Sequence, residues 1–248
     1  MARRFIVSNE NIKELGNNNI CISGEEVKHI QVLRFNVGDV VHVNDSMYKI
    51  VSMTRDTIEL EYIEKAQVLG VPKTNITLYM AFLKSDKMDF VVQKAVELGV
   101  SKIVPFFSSN VIVKLDGKDR AKRKDKLQKI ADEACKQCGR TDTIEVAEFL
   151  DFGIMKKDFA SQEKVFFAYE ASKESLRSEI NEAKSKKLEN IGVVIGAEGG
   201  FTPKEVDELK GIENVAVVGL GERILRAETA ALNLLSIVIY KLINDGSE

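Results

Sequence analysis

The spacing of apolar positions changes along the chain and divides it into two parts. Residues 1 to about 70 contain short runs in which apolar and polar residues alternate, and turn residues separate these runs. Val40–Val43 and Met47–Val51, for example, flank the turn cluster Asn44-Asp45-Ser46. Period-two alternation of this kind predicts a small antiparallel barrel or meander. A short helix is expected over Glu25–Val32, and a linker over Ala66–Asn75, which carries Leu-Gly-Val-Pro.

From Ile76 onward, short apolar runs alternate with longer segments of helical periodicity. This alternation predicts a parallel sheet with helices on both faces. The first predicted helix has Ser85 as its cap and Gly99 at its end. The strands are predicted at Ile76–Leu83, Ile103–Phe107, Ile144–Val146, Val165–Glu170, Gly192–Ile195 and Val215–Leu220, and the longer helices at Ser85–Leu98, Arg120–Cys138, the segment reaching about Lys186, and Ala230–Tyr240.

Two of the predicted strands end in loops that contain glycine. Gly192–Ile195 runs into Gly-Ala-Glu-Gly-Gly, and Val215–Leu220 runs into Gly221. Ligands of open α/β sheets bind at the carboxyl ends of the strands, so two adjacent strand ends are expected to form one small-molecule pocket. The first loop lacks the G-x-G-x-x-G spacing of dinucleotide sites and the Gly-Lys-Ser/Thr of phosphate loops.

The segments after these loops help to decide whether the glycines form a ligand site or only a tight turn. Thr202, Pro203 and Glu205 predict a helix start with a capping box. By itself, Gly199-Gly200 is explained by a tight strand-to-helix turn. The second loop favours a site, because two arginines, two glutamates and a threonine crowd into Glu222–Thr229 before a very apolar helix.

Composition and charge limit the remaining possibilities. The 248 residues carry a net charge of −2, so any contact with nucleic acid depends on local positive charge. Lys114–Lys129 holds such a concentration, although a charged run is by default a solvated helix face. No apolar run suits a membrane span, and no signal peptide is evident, so a cytoplasmic protein without membrane contact is expected. Cys135 and Cys138 close a predicted helix without further ligands nearby, so no metal site is expected.

The loop motifs together resemble a known family. Gly196–Thr202 reads Gly-Ala-Glu-Gly-Gly-Phe-Thr, and Leu220–Ala230 reads Leu-Gly-Glu-Arg-Ile-Leu-Arg-Ala-Glu-Thr-Ala. With Arg3-Arg4-Phe5, His29–Arg34 and Gln93–Val100, they are similar to the ribosomal RNA small subunit methyltransferase E family of the SPOUT superfamily. The resemblance covers the whole chain. It implies methylation of N3 of a specific uridine in the decoding region of 16S rRNA, on the assembled small ribosomal subunit.

The resemblance also implies an architecture. It predicts a PUA-like β-barrel that binds RNA over residues 1–70, followed by a SPOUT methyltransferase domain over residues 74–246. The parallel sheet of that domain would carry a deep trefoil knot, with its last helix passed through a loop. Spacing alone favours an unknotted sheet, because knots are rare among protein folds. A homodimer is implied as well, with the helix Ala230–Tyr240 at or near its interface.

The cofactor that the resemblance implies is S-adenosylmethionine (SAM), held by three loops. Backbone groups of the two glycine loops would bind the adenine edge and the ribose, while apolar side chains flank the ring. The third side would come from the end of the predicted strand Val165–Glu170, and its motif is the weakest of the three. The implied cofactor residues are Ala168, Tyr169, Gly196, Glu198, Gly199, Gly200, Leu220, Gly221, Ile224, Leu225 and Thr229.

The implied chemistry assigns roles to two residues of the second loop. Arg226 would stabilise negative charge on the uracil oxygens, and Glu228 would accept the N3 proton. Glu228 has an equally good structural interpretation, as a helix cap or an ion-pair partner of Arg226. The implied RNA contacts are Arg3, Arg4, His29, Arg34, Arg140 and Arg223, of which Arg140 is also a candidate cofactor contact and His29 is equally well explained as a partly buried helix residue.

Other functions remain as alternatives. A SPOUT methyltransferase that acts on a different RNA, such as tRNA, would share the cofactor loops. A non-catalytic RNA-binding module would have decayed glycine loops or lack Arg226, and this sequence keeps both. A nucleotide-binding oxidoreductase is disfavoured because the dinucleotide fingerprint is missing.

Overall fold

The computed structural model describes residues 4–65, 74–111, 115–140 and 142–244. The chain divides into two compact units, one formed by Met1–Val71 with Lys136–Asp142 and the other by Pro72–Cys135 with Thr143–Glu248. Residues 66–73 of the predicted linker lie outside the described part of the chain.

The first unit is built on one six-stranded sheet. The ladder order is β1-β4-β5-β6-β3-β2, and every pair is antiparallel except β1 with β4. One short helix, α1, accompanies it. The elements are β1 (Arg4–Phe5), β2 (Ile12–Gly16), β3 (Asn19–Ser23), α1 (Glu25–Val32), β4 (Val40–Val43), β5 (Ser46–Met53) and β6 (Thr57–Lys65).

The alternating sequence pattern of this unit produces its core. Along β3 and β4, every second side chain is buried, as a strand with one face against a core requires. Fully buried side chains from several strands meet there, among them Phe5, Ile22 and Ile50. Gly24 is the N-cap residue of α1, and its φ of 88° is a conformation that glycine adopts without strain.

The second unit contains a parallel sheet flanked by helices, as expected. Its elements are β7 (Asn75–Ala81), α2 (Ser85–Leu98), β8 (Lys102–Phe107), α3 (Gly117–Cys138), β9 (Glu145–Val146), β10 (Leu150–Asp151), α4 (Phe152–Asp158), β11 (Lys164–Ala168), α5 (Leu176–Ser185), β12 (Asn190–Ile195), α6 (Pro203–Lys210), β13 (Val215–Val218) and α7 (Ala227–Ile239). A π-helical turn, Tyr240–Asn244, follows α7.

The order of the strands corrects one prediction. The sheet runs β10-β8-β7-β12-β11-β13, and β9 also pairs with β8. The two strands that precede the glycine loops, β12 and β13, are therefore not adjacent, because β11 pairs with both of them. Strand pairing is decided by contacts between distant segments, which local spacing does not contain. The β11 end consequently joins the two loop-bearing ends along one edge of the sheet.

Helix α2 packs against α7, and α7 packs against β12. The buried side chains of α7 include Ala231, Leu234, Leu235 and Val238, which accounts for the very apolar sequence of this segment. The predicted cap at Ser85 is wrong, because the N-cap position is Lys84 and Ser85 is already helical. The predicted end of α2 is confirmed, since Gly99 adopts a left-handed conformation with φ 118°.

Candidate functional site

A cavity of about 500 Å³ lies at the carboxyl ends of β11, β12 and β13. Its walls come from the loops after these strands and from the beginning of α7, with one side chain from α2. A volume of this size suits a small organic ligand. The cavity is lined by Lys87, Ala168, Tyr169, Glu170, Ile195, Gly196, Ala197, Glu198, Gly199, Gly200, Phe201, Leu220, Gly221, Arg223, Ile224, Leu225, Arg226, Ala227 and Ala230.

The loop after β12 turns tightly because two of its glycines leave no room for a side chain or adopt a conformation that disfavours one. A Cβ atom on Gly196 would lie 2.8 Å from the ring of Phe201, which packs edge-on against Phe167. Gly200 has φ +65°, and its N–H donates to the carbonyl of Ala197 at 2.9 Å. The glycines therefore shape the cavity wall as well as ending the strand.

A segment that the sequence did not point to supports this loop from behind. The side-chain amide of Asn110, between β8 and α3, donates to the Gly199 carbonyl at 2.9 Å. A Cβ on Gly199 would lie 3.0 Å from Cβ of Asn110. Asn110 and Gly199 are 89 residues apart, and no local motif marks the asparagine. The Gly199 position is thus held by contact with protein on its far side.

The helix after the glycine loop starts with the predicted capping box. Thr202 accepts from the Glu205 N–H, and the Glu205 carboxylate accepts from the Thr202 N–H at 2.8 Å. The same carboxylate also accepts from the Ser109 N–H at 2.8 Å, although it is almost fully buried. Burial alone would raise the pKa of the Glu205 carboxyl, but the donors from Ser109 and Thr202 hold that pKa below its usual value.

We expect Glu205→Gln to lower the free energy of unfolding at neutral pH by about 1 kcal/mol, because an amide oxygen accepts weaker hydrogen bonds than a carboxylate. A carboxyl whose pKa is depressed by folding stabilises the protein above its usual pKa, and this stabilisation is lost as the pH falls through the folded-state value. The difference between wild type and variant should therefore shrink below about pH 4, as measured by thermal unfolding from pH 7 to pH 3.

Glu213→Gln provides the control for this prediction, because Glu213 is an exposed carboxylate in the same unit. It should change the melting temperature little at any pH. Equal losses in the two variants across the whole pH range would show that the buried carboxylate adds nothing specific to stability.

The loop after β13 is also set by a glycine. A Cβ on Gly219 would lie 2.3 Å from the backbone oxygen of Ser172, so only glycine fits there without movement of the backbone. The following residues, Leu220 to Ala227, pass along the cavity. Ile224 is 84% exposed, which is unusual for an isoleucine beside a cavity. Arg226 is the N-cap residue of α7, with extended backbone and an exposed side chain.

The structure distinguishes between the interpretations of Glu228. Glu228 lies in the first turn of α7, and its carboxylate makes an ion pair with Lys87 of α2, with Oε2 3.6 Å from Nζ. The predicted ion pair with Arg226 is wrong for the described residues, because the pairing with Lys87 takes its place. The predicted cap is also wrong, because the N-cap position is occupied by Arg226 and no side chain caps the helix.

Most residues of the predicted cofactor set line the cavity, and one does not. Thr229 is exposed and lies outside the lining, and Glu228, the predicted proton acceptor, is not part of the lining either. Lys87 does line the cavity, although no sequence pattern singled it out. Its signal was weak because a lysine in the first turn of an amphipathic helix is common on protein surfaces.

The residues predicted to contact RNA lie in the first unit, except Arg223, which lines the cavity. His29 is exposed, packs edge-on against Phe5, and has Nδ1 3.0 Å from a carboxylate oxygen of Glu26. Arg34 is exposed with a left-handed backbone. Arg4 lies in β1, whereas Arg3 lies outside the described residues.

Arg140, a predicted contact to RNA or cofactor, is buried in the structure. It is only 6% exposed, and its guanidinium makes an ion pair with Asp142 at 2.6 Å. It does not line the cavity, so the structure gives it no position as a cofactor contact. A buried, paired guanidinium is also poorly placed to bind phosphate, because the existing pair would have to separate.

The described ranges also bear on metal binding and membrane contact. No group of His, Cys, Asp and Glu side chains there could hold a metal ion. Cys135 is buried on α3 and Cys138 is exposed at its end. Among the helices in these ranges, none combines the length and the apolar character that crossing a bilayer requires.

Comparison with known proteins agrees with this geometry. Residues 71–239 match the family described as RNA methyltransferase domain. The chain is 32% identical to the ribosomal RNA small subunit methyltransferase E of Bacillus subtilis over 97% of both proteins. It is 31% identical to the protein of the same name from Mesomycoplasma hyopneumoniae, over 91% of this chain and 96% of that one.

A solved structure extends the likeness to three dimensions. The ribosomal RNA small subunit methyltransferase E of Neisseria gonorrhoeae, bound to S-adenosylmethionine, matches with a TM-score of 0.81 and 25% identity over 100% of both chains. Membership of one family therefore explains the loop motifs, the sheet order and the cavity at the strand ends. This chain belongs to the ribosomal RNA small subunit methyltransferase E family.

Proposed function

We propose that the protein transfers a methyl group from SAM to N3 of a specific uridine in the decoding region of 16S rRNA, on the assembled small ribosomal subunit. It is a SAM-dependent methyltransferase of small-subunit rRNA. The observation that carries the finer proposal is the position of Arg226, which lines the cavity two residues before Glu228. A candidate stabiliser of negative charge thus lies at the cavity wall, and the candidate proton acceptor, Glu228, lies 3.6 Å from Lys87 of the same wall.

The cavity residues fit SAM. Leu220, Ile224, Leu225 and Tyr169 offer apolar surface for the adenine ring. Backbone groups of Gly196–Gly200 can meet its polar edges and the ribose, because glycines allow close approach. When bound, SAM supplies a methyl group that is already activated by a positively charged sulfur, so the protein contributes mainly position and electrostatics.

The proposed chemistry of the side chains follows from the substrate. N3 of a neutral uracil carries a proton and is a poor nucleophile. Glu228 accepts this proton, and Arg226 stabilises the negative charge that then spreads over the uracil oxygens. Arg223, at the cavity wall, holds the RNA backbone near the target base through paired N–H donors. The base must be turned out of its stack to reach these groups.

Helix α3 is proposed to contact RNA. Only some of its basic residues are available for this contact, because carboxylates hold the others. Four of them are held by carboxylates: Arg120 by Asp151, Lys124 by Glu148, and Arg123 and Lys126 by Asp89. Lys118, Lys122 and Lys129 are exposed, and no ion pair involves them in the described part of the chain. At 3.6 residues per turn, these three lie within about 40° of one another on the helix. Lys114 lies outside the described residues.

We therefore expect the triple variant Lys118→Glu, Lys122→Glu and Lys129→Glu to bind 16S rRNA more weakly, with a salt dependence reduced by about two to three in log–log slope. The measurement is filter binding at several salt concentrations. The matched control reverses Lys173, Lys184 and Lys187, which are also exposed. If both triple variants lose the same affinity, the effect is one of net charge and the α3 surface has no special role.

The first unit is proposed as the PUA-like RNA-binding domain, with Arg3, Arg4, His29 and Arg34 as its contacts. The exposure of His29 and Arg34 supports this assignment. Arg140, buried and in an ion pair with Asp142, is left out of these contacts. The domain boundaries at residues 70 and 74, and the trefoil knot of the second domain, stay predictions.

A homodimer is part of the proposal, with α7 at or near its interface. Three exposed apolar side chains support it: Phe90 of α2 is 43% exposed, Ile237 of α7 is 36% exposed, and Tyr240, directly after α7, is 58% exposed. Exposed aromatic groups of this kind are enriched at protein interfaces.

The decisive experiment is a methylation assay with labelled SAM. Small ribosomal subunits from a strain that lacks the modification would be compared with naked 16S rRNA and with bulk tRNA, and the product identified by mass spectrometry. We expect 3-methyluridine in 16S rRNA with small subunits alone. Label on tRNA would favour the alternative RNA substrate. SAM binding without any methyl transfer would favour the non-catalytic RNA-binding module.

A further inference from the structure

Lys87 occupies a place in the cavity that the proposed chemistry leaves unexplained. It lies in the first turn of α2, outside all of the loops that form the rest of the wall. Its Nζ is 3.3 Å from Oε1 of Glu198 in the glycine loop and 3.6 Å from Oε2 of Glu228 in α7. One ammonium group thus connects three elements that are distant in sequence. We call Lys87, Glu198 and Glu228 the lysine bridge.

The burial of these groups makes the arrangement significant. The side chain of Glu228 is 15% exposed, and its Oε2 is buried without a hydrogen-bond partner in the described residues. A buried carboxylate oxygen without such a partner is destabilised unless a nearby charge compensates it. Lys87 provides this charge, and its own side chain is 30% exposed. The Glu228 carboxylate is therefore held in place by its ion pair with Lys87.

We infer that Lys87 is a positioning residue, which fixes the place of the Glu228 carboxylate next to the cavity wall and ties the glycine loop to the start of α7. The inference rests on the proposed function, because it concerns how Glu228 performs the proton transfer. In that step the N3–H bond of uracil breaks, the proton forms a bond with an oxygen of Glu228, and the electron pair stays on the uracil as an imide anion.

The second carboxylate explains why one lysine faces two acids. Before the proton moves, the Lys87 ammonium makes ion pairs with both the Glu228 and the Glu198 carboxylates. After it moves, Glu228 is neutral, and the ammonium keeps Glu198 as its partner. The bridge thus changes from one ammonium facing two carboxylates to one ammonium facing one, and every charged carboxylate has the ammonium as its partner, whereas an unpaired charge is costly in a partly buried site. The other charged side chains at the cavity wall are Glu170, Arg223 and Arg226, so the new imide anion still meets two guanidinium groups.

The test compares Lys87→Met with Lys87→Arg and with Lys94→Met. Lys94 is a matched control on the same helix, since it also makes an ion pair, with Glu97, and does not line the cavity. For each variant, the melting temperature, the Kd of SAM by calorimetry and kcat between pH 5 and 9 are measured. Because calorimetry needs no RNA, it reports on the bridge even if the assumed RNA substrate is wrong.

We expect Lys87→Met to lower kcat by about 10-fold or more and to move the acidic limb of its pH profile upward by about one unit, because two carboxylates then repel each other. The Kd of SAM should rise about 3-fold as the glycine loop loses its tie to α7. Lys87→Arg should recover most of both effects. Lys94→Met should behave like wild type, and all three variants should melt within a few degrees of it.

A double variant separates action through Glu228 from other roles. If Lys87 acts through Glu228, then Lys87→Met with Glu228→Gln should have the same kcat as Glu228→Gln alone. Multiplying effects in the double variant would overturn the inference, and so would an unchanged SAM affinity and pH profile in Lys87→Met. If Lys87→Met fails to fold, the double variant Lys87→Arg with Glu198→Gln replaces it. An unaltered pH profile of kcat in that double variant would also overturn the inference. If the wild-type protein methylates no rRNA, but Lys87→Met still weakens SAM binding, the proposed function is refuted and the tie between the glycine loop and α7 is not.

Discussion

Arg226→Ala is expected to reduce kcat by about two to three orders of magnitude, because it removes a positive charge from the place where negative charge develops on the uracil. The fold should be unaffected. Arg226 is exposed, and as N-cap residue it supplies no side-chain hydrogen bond to α7, so the free energy of unfolding should change by about 0.5 kcal/mol or less. SAM affinity should stay near the wild-type value.

The measurements are methyl transfer to small subunits, calorimetry with SAM, and thermal unfolding. Arg177→Ala, an exposed arginine on α5, is the matched control and should keep full activity. Arg226→Lys retains a charge but loses the planar pair of donors, so we expect it to recover only part of the lost rate. A large drop in melting temperature for Arg226→Ala would make Arg226 a structural residue and remove it from the chemistry.

The second large effect is expected from Gly199→Val, which should abolish measurable SAM binding. From the sequence, the reason would be crowding of the cofactor by the new side chain. The structure gives a different reason, because a Cβ on Gly199 points at Asn110 and lies 3.0 Å from its Cβ and 3.3 Å from its backbone oxygen. The valine would push the loop away from this support and into the cavity, and it would break the hydrogen bond from Asn110 to the Gly199 carbonyl.

Calorimetry with SAM measures this effect without RNA. Gly153→Val in α4 is the matched control, since a Cβ there meets nothing within 4 Å and Gly153 does not line the cavity. Unchanged SAM affinity in Gly199→Val would remove this loop from the cofactor site. The variant should still fold, because the displaced loop lies at the end of β12 and leaves the strand core intact.

The features that local sequence predicted well are those whose causes are local. The capping box of Thr202 and Glu205 formed because its hydrogen bonds join residues three apart. The end of α2 at Gly99 formed because glycine adopts the left-handed conformation without strain. The strand–helix alternation of the second unit likewise follows from short-range periodicity, so a parallel sheet with loops at its carboxyl edge was predictable.

The composition of the cavity was partly predictable for a related reason. Loops after parallel strands must gather at one edge of the sheet, so Gly196–Gly200 and Leu220–Leu225 could be assigned to one pocket before its geometry was known. The family motifs in these loops pointed to the same residues. The motifs did not predict that Thr229 lies outside the cavity lining or that Arg140 is buried, because the direction of a side chain and its burial depend on packing that a motif does not describe.

Only the tertiary structure decided which distant residues complete the site. It inserted β11 between β12 and β13, and it brought Asn110 behind Gly199 and Ser109 onto Glu205 from 96 residues away. It also placed Lys87 between two carboxylates. Local propensity acts over a few residues, whereas strand pairing and ion pairs join segments through space. The sequence by itself thus determined the elements, the glycine loops and the chemical character of the site, and the packing of the chain determined which side chains hold that site in place.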